Sequence, residues 1–368
     1  MPVRLDEYPL HQAPLSMRYV SSSDRNFYDR CYFNAHDRSG EIFLITGLGI
    51  YPHLGVKDAY AVVRHRQTQY VVRASDALDE ERMNLSVGPY RIEVVEPLQR
   101  IRLVCDADTE GIGFDLTWQG SFPAIDEERH ILRTGTRPIV DAWRFAQLGT
   151  WEGELRVAGV TYDVTPDSWV GSRDRSWGIR PVGDSEPPGR PAEGSEDFGF
   201  WWLYVPIRFD NYAIVLIAQE DGSGYRTLND AVRIHPNGRI EQLGWPRVTI
   251  SYRSGSRHPE HARIELTEPD GSPLVMEVDT LNYVPLHVGC GYGGDPEWTH
   301  GQWRGPDWLE GATYDFTDPA IEARSPWGVV DHIGKATCNG DVGWGLFEHG
   351  TIGRHAPSGF ADLSAVAP

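Results

Sequence analysis

Asp174, Arg175, Trp177 and Arg180 fall within seven residues at the end of the segment Gln147 to Pro181, QLGTWEGELRVAGVTYDVTPDSWVGSRDRSWGIRP. A carboxylate and guanidinium groups beside an indole, next to a glycine turn, suit a polar site set into an apolar wall. If buried, the Arg and Asp groups must satisfy one another, because an unpaired charge is costly away from water. A purely structural role is the competing reading: Asp174 then pairs with Arg173, Arg175 or Arg180 and ties the last strand of a first domain to its neighbour.

Aromatic density supplies a second set of candidates, with 13 Trp, 16 Tyr and 12 Phe in the chain. In the run Phe200 to Tyr204 adjacent side chains of a strand point to opposite faces, so one face needs a cover, either a domain interface or a ligand. Trp201, Trp202 and Tyr204 are therefore candidate ligand contacts, as are Arg180 and, from the cluster Trp298, Trp303 and Trp308, Trp303. His287, His300, His332 and His349 lack the spacing of a zinc pattern, so no metal is expected. No nucleophile elbow, phosphate loop or dinucleotide fingerprint is present, and no cofactor is expected. Schiff-base chemistry has only two lysines to draw on, Lys57 and Lys335.

The elements that must position these residues read as strands. Period-two alternation rich in Val, Ile, Tyr, Phe and Trp recurs at Tyr70–Arg73, Tyr90–Val95, Arg100–Cys105, Gly113–Trp118, Gly153–Val157, Ala213–Ile217 and Arg263–Leu266. Helical spacing is scarce, and Asp24–Asn34 and Pro138–Phe145 are the places that would admit a short helix. A length of 368 residues suggests two domains. The Pro/Gly-rich acidic stretch Pro181 to Asp197 reads as a linker or a lid, which divides the chain into a β domain at 1–183, a linker or lid at 184–197 and a second β domain at 198–368. The hairpin-like stretches Gly40–Val63 and Phe198–Gln219 hint at duplication.

A net charge of −19 argues against nucleic acid as a partner. Four scattered cysteines, Cys31, Cys105, Cys290 and Cys338, read as small buried hydrophobes in a reducing compartment. With no signal-like apolar run and no membrane-length window, the expectation is a cytoplasmic protein without stable membrane insertion, a monomer or homodimer.

The stretch Asp174-Arg175-Ser176-Trp177-Gly178, following a strand and a glycine turn, resembles the Asp-His-x-Trp-Gly signature of the hydroxyneurosporene synthases (carotenoid 1,2-hydratases) and the AttH-like proteins grouped with them. Val330 to Gly350, VDHIGKATCNGDVGWGLFEHG, is similar to that family's closing strands, with a Gly-rich turn and Glu348. The resemblance implies an all-β chain of two tandem lipocalin-like antiparallel barrels or sandwiches with few short helices, and a ligand region between or within them. It implies Asp174, Arg175 and Trp177 as catalytic candidates and adds Glu348 to the ligand contacts. One departure matters: the signature's His is Arg175 here, and a guanidinium stabilises charge rather than shuttling protons.

Two functions follow. In the first the chain is an enzyme without cofactor, a hydratase (lyase) or an isomerase or cyclase, acting on a lipophilic terpenoid, carotenoid-like compound or polyketide. Protonation of an alkene would start the reaction, with a desolvated Asp174 as acid and Trp177 offering its π face to the cation. In the second the chain is a lipocalin-like carrier that binds the same kind of ligand without turnover.

Overall fold

The structure is a computed structural model that describes residues 2–8, 16, 18–187 and 198–368. The expected linker or lid therefore lies in part, at 188–197, outside the described residues. The fold is all-β, two tandem lipocalin-like units of antiparallel sheet. Among the described residues helix is confined to Pro319–Glu322 and the 3₁₀ turns Arg4–Glu7 and Asp108–Glu110.

The first sheet takes its strands from Phe27 to Ile179, and the second takes its strands from Gly199 to Gly353. One strand crosses over: Trp308–Asp315 leaves the second half and pairs antiparallel with Thr68–Ala77 at the edge of the first sheet. Each sheet closes around its own apolar core. In the first, Phe33, Trp118 and Trp151 meet edge to face, with Trp118 and Trp151 centroids 5.2 Å apart. In the second, Trp201, Leu203, Val205 and Met276 belong to one buried cluster. A third cluster joins the two units, with Tyr32, Phe43, Val62 and Leu148 from the first sheet and Trp202, Tyr204, Ile217 and Leu346 from the second.

Both segments that would admit a helix are strands instead. Asp24–Asn34 runs into the strand Phe27–Asp37, and Pro138–Phe145 lies in the long strand Arg137–Val157. Phe27–Asp37 has a core on each side and is buried along almost its whole length, so the polar–apolar alternation of a half-exposed strand is missing. The strands expected from alternation all lie within observed strands. The four cysteines are buried and free. No helix among the described residues is long and apolar enough to cross a membrane.

Candidate functional site

The central strand Trp169–Ile179 carries the seven-residue cluster, and its pleat divides that cluster between two faces. It is flanked by Phe27–Asp37 on one side and Arg137–Val157 on the other. Tyr32 and Ala146 stand beside Asp174, and Arg30 and Arg144 beside Ser176, so these side chains share the face turned toward the second sheet. Gly178 adopts φ +131°, and a Cβ there would lie 2.2 Å from the Asp141 carbonyl oxygen. Only glycine permits that approach, which lets the strand stay paired up to Arg180.

A cavity of about 140 Å³ opens between the two sheets at this point. Asp174, Ser176, Arg180, Tyr28, Arg30 and Tyr32 line it from the first sheet, with Val140, Ala142 and Arg144 alongside. Phe200, Trp202, Ile217 and Glu348 line it from the second, with Leu286, Tyr292 and Val329 completing the wall. Glu127, Glu128 and His130 also line it, so about half of the wall is aromatic or aliphatic and the rest is charged or polar.

The Asp174 carboxyl forms no hydrogen bond or ion pair among the described residues, and the residue lines this cavity. Burial pushes its carboxyl up to about 7, opposed by Arg144 and Arg180 and reinforced by the Glu127 and Glu348 carboxylates. Neither neighbouring arginine on the chain pairs with it. Arg173 forks onto Glu7 at 2.7 and 2.8 Å and reaches Gln147 Oε1 at 2.9 Å. Arg175 donates to Asp29 Oδ1 at 2.7 Å and to the Glu7 carbonyl at 2.8 Å. Both are 2% exposed and occupy the strand face opposite Asp174.

Arg144 is held by a hydrogen bond to Glu127 Oε2 and by the Tyr204 ring, 4.3 Å from its guanidinium carbon. Burial pushes Glu127 up against the pull of Arg144. Across the strand pair, Asp331 stands opposite Glu348 and accepts from the Tyr32 hydroxyl at 2.5 Å. Burial and the Glu348 carboxylate hold Asp331 well above the usual carboxylate range. Trp202 donates its indole N–H to Glu348 and stacks on His130, centroid to centroid 5.1 Å. Burial lowers His130 to about 4, so its ring is neutral at pH 7.

The candidates read from the sequence therefore separate. Asp174, Arg180, Trp202 and Glu348 line the cavity. Tyr204 sits just behind it under Arg144. Arg175 and Trp177 face away, Trp177 packing on the cluster of Leu98, Ala124 and Phe145. Trp201 points into the second unit's core, stacked on His355 at 5.7 Å, and Trp303 is 51% exposed. Tyr28, Arg30, Tyr32, Glu127, His130, Arg144, Tyr292 and Asp331 escaped sequence reasoning. The signal that could have found the first three is their i, i+2, i+4 spacing on a strand. No group of three or more His, Cys, Asp or Glu among the described residues is placed to hold a metal ion.

Residues 3–361 match a family described as "Family of unknown function (DUF8625)". No curated protein sequence matches the chain. Solved structures with a similar fold include CghA, at TM-score 0.50 and 12% identity over 89% of both chains, and CghA with Sch210972, at TM-score 0.50 and 13% identity over 89% of both chains. Kievitone hydratase from Nectria haematococca aligns at TM-score 0.49 and 13% identity over 88% of both chains. At such identities the likeness to CghA concerns the fold.

Proposed function

The chain belongs to this family of unknown function, and we propose that it is an enzyme that protonates a lipophilic small molecule in the cavity between its two sheets. The observation that carries this reading is the Asp174 carboxyl, without a hydrogen bond or ion pair among the described residues and pushed by burial up to about 7, in a wall it shares with Trp202, Tyr28 and Tyr292. A carboxylic acid that keeps its proton at neutral pH is what alkene protonation needs. The Asp174 O–H adds its proton to one alkene carbon and leaves a cation on the other. Water capture followed by loss of a proton to solvent then gives hydration, loss of a proton from a neighbouring carbon gives isomerisation, and attack by a second π bond, with loss of a proton from the new cation, gives cyclisation. The carboxylate recovers its proton from solvent. The rings of the wall in which the cation would form are those of Trp202, Tyr28 and Tyr292, not that of Trp177, to which this part was first assigned.

Two further observations support the reading. The resemblance of Asp174-Arg175-Ser176-Trp177-Gly178 to the carotenoid hydratase and AttH-like signature falls on the strand that lines the cavity. CghA, of similar fold, has been crystallised with the compound Sch210972. The missing signature imidazole favours the other reading, a carrier that binds without turnover.

Incubation in D₂O separates them. Lipophiles that copurify with the protein are extracted, returned to fresh enzyme in D₂O and followed by mass spectrometry. The expected result is a product carrying solvent deuterium at carbon, absent with a folded Asp174→Asn variant. Recovery of the retained compound unchanged and unlabelled would establish the carrier, and undiminished labelling by Asp174→Asn would remove Asp174 from the chemistry.

A further inference from the structure

A second cavity, of about 370 Å³, adjoins the first, and Arg30, Arg180 and Tyr292 line both. Arg30 is 4% exposed, yet among the described residues no carboxylate touches it, its one side-chain hydrogen bond runs from Nη2 to the Tyr51 hydroxyl at 3.1 Å, and its buried Nε has no partner. Asp58 acts on Arg30 only from behind Tyr51, whose hydroxyl donates to Asp58 Oδ1 at 3.1 Å. The Arg180 side chain makes no hydrogen bond or ion pair among the described residues and lies 5.5 Å from the Tyr28 ring and 5.9 Å from Tyr292. Arg30 lies over the same two rings, at 5.5 and 5.3 Å.

In a chain with 53 acidic and 34 basic residues, guanidinium groups without a carboxylate partner stand out. Three other arginines of this sheet are matched, Arg173 to Glu7, Arg175 to Asp29 and Arg144 to Glu127, while Arg64, which has no ion pair among the described residues, donates to the Arg66 carbonyl and Gln67 Oε1 and lies over the Tyr283 and Phe316 rings, away from both cavities. Two unmatched forks, converging on one pair of tyrosine rings at the junction of two cavities, present donors in the arrangement that grips a planar delocalised oxyanion.

Resting on the reading of the inner cavity as the ligand site, we propose that the ligand carries a planar oxyanion, a carboxylate or ionised enol, bound between Arg30 and Arg180 while its apolar part enters beside Asp174. The anion neutralises Arg180, one of the two cations that draw the Asp174 proton away. Occupancy of the junction thus strengthens the hold of Asp174 on its proton. An uncharged hydrocarbon gains neither effect.

The probes are 2-naphthoate and its methyl ester, titrated calorimetrically at pH 7.5 into the wild-type protein, Arg180→Gln and Arg30→Gln. Naphthoate is expected to bind wild-type protein about tenfold tighter than the ester, and Arg180→Gln to weaken naphthoate about tenfold while leaving the ester within about twofold, the scale of one charge-assisted contact. Arg30→Gln is expected to act in the same sense, and if it fails to fold, Arg180→Gln alone decides. Equal binding of the two probes, equal weakening of both by Arg180→Gln, or binding of neither overturns the proposal. Deuterium labelling in D₂O judges turnover separately: discrimination without labelling keeps the oxyanion site and discards the enzyme, and labelling without discrimination does the reverse.

Discussion

An aspartate in water gives up its proton near pH 4. Asp174 holds its proton to about 7, because burial strips water from the ionised form and no hydrogen bond among the described residues replaces it. The sign of the linked stability follows. Between about pH 4 and 7 the native state binds a proton that the unfolded chain has lost, so stability falls as pH rises through that window and levels off above it. A rise from 3.8 to about 7 has an upper bound on the order of 4 kcal/mol. Asp174→Asn is therefore expected to raise Tm at pH 8 and to leave it nearly unchanged at pH 4, read by scanning calorimetry. A Tm difference independent of pH would contradict the assignment. Turnover, which needs the protonated acid, is expected to decline as pH rises above about 7.

At the scale of the strand, Trp169–Ile179 explains why neighbouring residues have unlike roles. Even positions 174, 176 and 180 face the cavity, while Arg173 and Arg175 hold the chain's N-terminal turn and the strand Phe27–Asp37 through buried ion pairs. Asp29→Ala strands the Arg175 charge and is expected to cost about 3–5 kcal/mol in chemical denaturation, with labelling per folded molecule unchanged. A loss of labelling at intact stability would place Arg175 in the site after all.

This division shows how far the site was legible. Motif resemblance found Asp174 and Glu348, the crowding of charges into seven residues found Arg180, and alternation found strands of both sheets, but the resemblance grouped Arg175 and Trp177 with Asp174 although the pleat separates them. Tyr28, Arg30 and Tyr32 were missed because Phe27–Asp37 is buried on both sides and carries no period-two pattern of polarity. Asp331 and Glu348, 17 positions apart, become neighbours only through cross-strand register, which local sequence does not encode.

At the scale of the molecule, the cavity belongs to neither unit alone. The cluster around Tyr32, Leu148, Trp202 and Ile217 closes the space between the sheets, and the strand Trp308–Asp315 carries the second half across onto the first. We propose the division at 1–183, 184–197 and 198–368 as one of sequence rather than of independent folding. Unfolding is expected as a single transition, with near-UV and far-UV circular dichroism coinciding. Ala312→Pro, which removes an amide from the crossing strand, is expected to lower Tm by several degrees while keeping those probes together. Two resolved transitions in the wild-type protein would show that the halves fold apart.

The most direct measurement is the titration of Asp174 itself, by ¹³C NMR of protein labelled at aspartate Cγ and assigned by its loss in Asp174→Asn. A midpoint near pH 7 is predicted. A midpoint in the ordinary aspartate range, near pH 4, would mean a carboxylate already ionised at neutral pH, with no proton to give.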